Sequence, residues 1–247
     1  MDLKDFVRVP RLDSAKRVLC VQPHPDDNEI GAGGTIAWLT DLGVEVVYLT
    51  VTDGCIGTQD PGVDPEALAE RRRAEAERSA RHLGVSRLVW LGYHDADVPE
   101  ERELTTAILG VIRSVRPDVV LAPDPWLAYE AHRDHRLTGM ATASACMFSG
   151  LPHATSEPPA PPHEVPAVGF YCTPKPNTWI NVDRTWVKKM EAMNMHESQF
   201  SDGWMTFCMY LDMKARELAR GRGFARAEAF KVVPTLLLHF NVDTEGY

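Results

Sequence analysis

Short β-branched apolar runs alternate with longer amphipathic stretches through the first half of the chain. Residues 17–23 read as a buried strand, and residues 33–42, stopped at Gly43, as a helix. A second strand over 44–51 ends in Thr52-Asp53-Gly54. Asp64-Pro65 opens a helix that Gly84 closes. Residues 87–92 form a third strand, 104–116 a third helix and 118–123 a fourth strand. Regular strand–helix–strand alternation means parallel pairs joined by right-handed crossovers, hence a Rossmann-like, doubly wound, mostly parallel α/β sheet.

The second half is less regular. It predicts a small-residue helix over 137–148, edge strands at 168–172 and 178–182, and helices near 185–200 and 209–220. A final apolar segment spans 232–240. Residues 151–166 are proline-rich and read as a long irregular loop, a candidate lid, within one domain spanning 1–247. No internal repeat or heptad register is present.

Composition removes several classes of function. With 44% hydrophobic and 25% charged residues the chain is an ordinary globular one, and no apolar run approaches the roughly 18 residues of a membrane span. Met1-Asp2-Leu3-Lys4-Asp5-Phe6 lacks the basic start and apolar middle of a signal peptide, so a cytoplasmic location is expected. The five cysteines include no C-x-x-C pair and read as reduced thiols. A formal charge of −9 argues against nucleic acid as a partner.

Ligands of such sheets bind at the carboxyl ends of the strands, and the polar clusters fall there. His24 to Glu29 follows the first strand, Asp53 the second, His94-Asp95 the third, and Asp124 to His135 the fourth. The first cluster sets one imidazole and three carboxylates beside an apolar strand, which is costly unless a cation neutralises them. His24 and Asp27 can each give one ligand atom, and the pair His132 and His135 can supply a third; three protein ligands with one open position is the catalytic pattern for zinc. Gly31, Gly33 and Gly34 suggest a dinucleotide loop, but Ile36 stands where the last glycine of that motif belongs. Their expected role is close packing of the first helix. Two of Arg71, Arg72 and Arg73 should be solvated, the set Trp186, Met190, Met193, Trp204, Met205 and Met209 should be core, and His196-Glu197-Ser198-Gln199 an exposed helix face.

Pro23-His24-Pro25-Asp26-Asp27-Asn28-Glu29-Ile30-Gly31, with Gly33-Gly34-Thr35, resembles the signature of the zinc-dependent N-acetylglucosaminide deacetylase family, also called LmbE-like or PIG-L. The likeness extends to Arg72-x-x-Glu75, Leu91-Gly92-Tyr93 with Asp95, His132-x-Asp134-His135, His196-x-Ser198-Gln199 and Ala227-Glu228-Ala229-Phe230. The segment Asp124 to His135 is most similar to the diacetylchitobiose deacetylase branch, which implies a homo-oligomer. The resemblance implies that His24, Asp27 and His135 hold Zn2+, that Asp26 is the general base, and that a protonated His132 assists at the oxyanion and leaving amine. It also implies sugar contacts from Arg72 and Asp95, while Asp134 would orient a flanking imidazole. Asn181, where many members carry aspartate, and Tyr129, displaced by one residue, are departures that bear on the sugar subsite. The implied reaction is removal of the N-acetyl group from an N-acetylglucosamine-type amino sugar. The same metal chemistry would serve another amide, such as a thiol conjugate or acylated natural product. A sugar-binding protein without turnover would have no need of Asp26.

Overall fold

The computed structural model describes residues 7–200, 203–239 and 242–247. The reading of Met1–Phe6 and the end of the last apolar segment at Phe240 lie outside them. The core unit runs β1 (Arg17–Gln22), α1 (Asp27–Asp41), β2 (Glu45–Thr52), α2 (Pro65–Leu83), β3 (Arg87–Tyr93), α3 (Glu101–Val115), β4 (Val119–Pro123), α4 (Arg133–Phe148) and β5 (Ala167–Tyr171). After it come β6 (Thr178–Asn181), α5 (Trp186–Asn194), α6 (Glu197–Phe200), α7 (Trp204–Ala219) and β7 (Ala227–Pro234).

One sheet carries them in the order β3-β2-β1-β4-β5-β7-β6, with β1 to β5 parallel. The order reverses at β1, since β2 lies on one side and β4 on the other; that switch point opens a crevice at the carboxyl ends. Alternation along the strands feeds both faces. Val18 and Cys20 pack with Ile36 and Leu39 of α1 and with Leu83 of α2, whereas Leu19 and Val21 pack with Ile108 and Ile112 of α3 and with Ala141 of α4. Strands buried on both faces read as continuous apolar runs, which is why the sequence showed them clearly.

Several boundaries differ from the sequence expectation. α1 begins at Asp27 and α4 at Arg133, so both polar clusters run into first helical turns. The helix expected near 185–200 is two, α5 and α6, broken at Met195-His196. β5 is interior rather than an edge, because β7 inserts antiparallel between it and β6. Of the methionines and tryptophans expected in the core, Trp186 and Met193 are buried, but Met205 and Met209 are 73% and 68% exposed.

The 151–166 loop is no lid over the crevice. Buried Arg113 of α3 donates to the carbonyls of Ser149, Leu151 and Ala154, and His163 Nε2 lies 2.8 Å from Pro117 O, at the amino end of β4. The loop therefore sits at the end of the sheet opposite the crevice.

The glycines of α1 do serve packing, each against a different partner. Gly31 lies against Tyr171, Gly33 against Lys189, and Gly34 against Val182 and Glu228. At Gly34 a buried ion pair enters the helix. The Glu228 carboxylate accepts from Gly34 N at 2.9 Å and Thr35 N at 2.7 Å, while Lys189 Nζ donates to Ile30 O at 2.8 Å and to Glu228 at 2.6 Å. The pair thus caps the donor at Gly34 and the acceptor at Ile30, one helical turn apart. Glu228→Ala would leave Lys189 charged and buried, and should cost about 3–5 kcal/mol of unfolding free energy in urea titration. A cost below about 1 kcal/mol would show that solvent reaches the pair.

Candidate metal and catalytic site

The loop from β1 into α1 turns sharply. Asp26 sits at the N-cap of α1 with φ 131° and ψ −21°, a sparsely populated conformation that costs about 1–3 kcal/mol and recurs at functional sites. Asp27, the first residue of α1, folds back so that its Oδ2 accepts from His24 N at 2.9 Å. The same oxygen is 3.3 Å from His24 Nδ1, and Asp27 Oδ1 is 3.5 Å from His135 Nε2. His135 lies in the first turn of α4, reached from β4, the strand next to β1. One ligand atom from each of His24, Asp27 and His135 lies within 4.8 Å of the others.

Those separations fit an ion. A tetrahedron with bonds of about 2.0–2.1 Å has edges of about 3.3–3.4 Å, which is the separation of His24 Nδ1 and Asp27 Oδ2, while the His135 distance runs to the other oxygen of Asp27. The far side of His24 faces two carboxylates. Its Nε2 lies 3.1 Å from Asp95 Oδ1 and 3.4 Å from Asp134 Oδ2, although neither contact is aligned well enough to complete a hydrogen bond. Burial lowers the basicity of His24, but Asp134, Asp27 and Asp95 outweigh it and hold its pKa up to about 12. Burial likewise opposes ionisation of Asp27, yet His135 and His24 hold it down to about 2. In chemical terms the surrounding carboxylates favour a positive charge at this position. His24, His132 and Asp134 also converge. Asp134 is fully buried and its Oδ2 already accepts from Ala96 N at 2.8 Å.

Asp26 stands beside this set without joining it. Burial and the charge of Asp27 push its carboxyl up to about 7, against the opposing pull of Arg72, His196 and His24. A base is most effective when its pKa lies near the working pH. Arg72 is turned inward, 3% exposed, donating to Gly54 O at 3.0 Å, Pro25 O at 3.0 Å and Asp26 Oδ2 at 3.2 Å. Arg71 and Arg73 are exposed, as expected. Asp95 is also turned inward, toward His24, with its backbone N–H on Asp53 Oδ1 at 3.1 Å. Through these contacts Arg72 and Asp95 both brace the site. Arg72→Ala should cut kcat at least roughly tenfold, or about 1.4 kcal/mol, with metal content unchanged. A rise in KM alone would put the guanidinium on the substrate instead.

His132 is exposed and caps α4, its Nδ1 accepting from Asp134 N at 3.3 Å. That bond leaves the proton of the neutral ring on Nε2. Burial, His24 and His135 lower its pKa, and a bound cation would act in the same direction. Its ring centroid is 4.6 Å from that of His24 and 5.1 Å from that of His135.

Two further supports are not legible in the sequence. The His196 segment is not an exposed face: His196 is fully buried 3.8 Å from Glu29, Ser198 Oγ donates to Glu75 at 2.5 Å, and Gln199 donates to Gly57 O. Asp53, noted only as a strand-end acid, anchors the backbone of Cys55 and Asp95. Of the two departures, Tyr129 is fully exposed with φ 69°, and Asn181 accepts from Asp183 N at the end of β6.

Fold and site define a class: a doubly wound α/β protein in which two histidines and a carboxylate that could hold a metal ion converge at the switch point, with a buried carboxyl beside them. The chain belongs to the PIG-L family, described as GlcNAc-PI de-N-acetylase, whose pattern matches residues 19–146. It is 43% identical over 239 residues to the diacetylchitobiose deacetylase of Thermococcus kodakarensis, covering 95% of this chain and 90% of that one. The 1D-myo-inositol 2-acetamido-2-deoxy-alpha-D-glucopyranoside deacetylase of Kineococcus radiotolerans is 32% identical over 60% of this chain and 50% of its own. Among solved structures, the N,N'-diacetylchitobiose deacetylase of Pyrococcus horikoshii, in complex with its inhibitor MPG, superposes with a TM-score of 0.92 at 38% identity, covering 99% of this chain and 94% of that one.

Proposed function

We propose that this protein is a zinc-dependent hydrolase that removes the acetyl group from the 2-acetamido nitrogen of an N-acetylglucosamine-type sugar. The observation that carries the reading is the convergence of His24, Asp27 and His135 with Asp26 set just outside the ligand set. The acetamido-sugar substrate class is supported by the names of the relatives, which share an N-acetylated glucosamine and differ in what it is attached to.

His24, Asp27 and His135 would hold the ion. When bound, it supplies Lewis acidity toward the amide carbonyl and lowers the pKa of water to about 7. Asp26, aimed by Arg72, takes the proton from the attacking water as the new C–O bond forms. His132 offers its Nε2–H to the carbonyl oxygen as negative charge develops there. The proton held by Asp26 then passes to the departing nitrogen, the C–N bond breaks, and acetate and a free amino sugar leave. Asp95 and Asp134 keep His24 oriented throughout.

Among the described residues no helix is long and apolar enough to cross a membrane, and a cytoplasmic location remains our proposal. So does a homo-oligomer, consistent with the exposed Met205, Met209 and Met213 along α7. Acetate release from a panel comprising N-acetylglucosamine, diacetylchitobiose, longer chito-oligosaccharides and N-acetylglucosaminyl conjugates tests the substrate class. Turnover of at least one is expected; hydrolysis only of amides lacking an amino sugar would overturn it.

A further inference from the structure

We infer that a second cation site, for a thiophilic divalent ion such as zinc or cadmium, is formed by Asp53, Cys55 and His94 at the ends of β2 and β3. A carboxylate oxygen, the Cys55 sulfur and a His94 ring nitrogen all lie within 4.8 Å of one another, and none of the three is a ligand of the site described above. His94 Nδ1 is 2.8 Å from Asp53 Oδ2.

The backbone that presents them is fixed from several sides. Asp53 N donates to Tyr93 O at 2.9 Å, locking the two strand ends together. Cys55 N donates to Asp53 Oδ1 at 3.0 Å, closing a turn through Gly54, whose φ is +70°. A side chain at position 54 would be strained at that φ and would also collide with the Arg72 guanidinium, which itself holds Gly54 O at 3.0 Å. The turn that folds Cys55 back toward the Asp53 carboxylate is therefore held from behind by the same arginine that aims Asp26.

Donor chemistry selects the ion. One sulfur, one imidazole nitrogen and one carboxylate oxygen suit zinc and softer metals, whereas calcium and magnesium take oxygen ligands. His94 is 73% exposed at its side chain and Cys55 8% exposed overall, so an ion would enter from the histidine side and displace the proton from the thiol. Three protein ligands leave one position for water. Occupancy would be felt in the neighbouring site, since Asp53 Oδ1 holds the backbone of Asp95, whose carboxylate faces His24.

The test does not depend on the proposed reaction. The protein, first loaded with one zinc per chain, is titrated with cadmium while thiolate-to-metal charge-transfer absorption and bound cadmium are followed. The primary ligand set has no sulfur, so cadmium exchanging into it gives no such band. The expected result is a band that saturates with one additional ion per chain, disappears in Cys55→Ser with the first ion retained, and requires at least roughly tenfold more cadmium in His94→Ala. No band in the wild-type protein, or one that persists in Cys55→Ser and vanishes in Cys172→Ser, overturns the assignment.

Discussion

Asp26→Asn should keep its metal and lose turnover, with kcat falling by roughly 10²- to 10⁴-fold, the usual contribution of a general base. The substitution is close to isosteric, and asparagine is among the residues that best tolerate a positive φ, so the 131° turn should survive. The amide would still accept from Arg72 Nη2, which now reaches Asp26 Oδ2 at 3.2 Å. What disappears is an oxygen able to take a proton near neutral pH, the range to which burial and Asp27 bring this carboxyl. Metal content and kcat measured on the same preparation check the outcome. An Asp26→Asn protein free of metal would move Asp26 into the ligand set, and a fully active one would give its role to another group.

The second large effect separates two histidines three residues apart. His135→Ala should lose most of its bound metal and, with it, activity at ordinary metal concentrations. Its Nε2 sits 3.5 Å from Asp27 Oδ1 on the ligand side, and removing it leaves His24 and Asp27 to hold the ion alone. His132→Ala should keep one ion per chain and lose rate, because this ring is exposed and caps α4 through Nδ1. Equilibrium dialysis with zinc, followed by single-turnover acetate release, distinguishes them. The reverse pattern, metal lost in His132→Ala and kept in His135→Ala, would exchange the two assignments.

Much of this was legible in the sequence because the physics is local. Strands such as Val18-Leu19-Cys20-Val21 are buried on both faces and so appear as unbroken apolar runs. Asp64-Pro65 and Gly84 mark α2 with a capping carboxylate, a proline in its first turn and a left-handed stop, and the helix runs between them as expected. Placing His24, Asp53, Asp95 and His135 at strand ends followed from the strand pattern alone.

The misreadings share one cause: a residue doing two jobs hides one of them. Asp27, Asn28 and Glu29 look like a polar loop because the first turn of α1 carries acidic and polar side chains, and Asp26 makes no side-chain cap bond to announce the helix. α4 is capped by an imidazole, which no common capping rule anticipates. Other features depend on partners distant in the chain. β7 separates β5 from β6, Glu228 reaches into α1 from nearly two hundred residues away, and Arg72 spends its charge on Asp26 and two carbonyls. Spacing along the chain shows that such residues are charged; only the fold shows what neutralises them.

On the proposed mechanism, one ion held by His24, Asp27 and His135 is required for removal of the acetyl group. Protein stripped with a chelator and dialysed free of it should release no acetate from an N-acetylated glucosamine substrate, and adding zinc should restore the rate in proportion up to one equivalent per chain. Full acetate release by the stripped protein, with metal analysis confirming no bound ion, would contradict it.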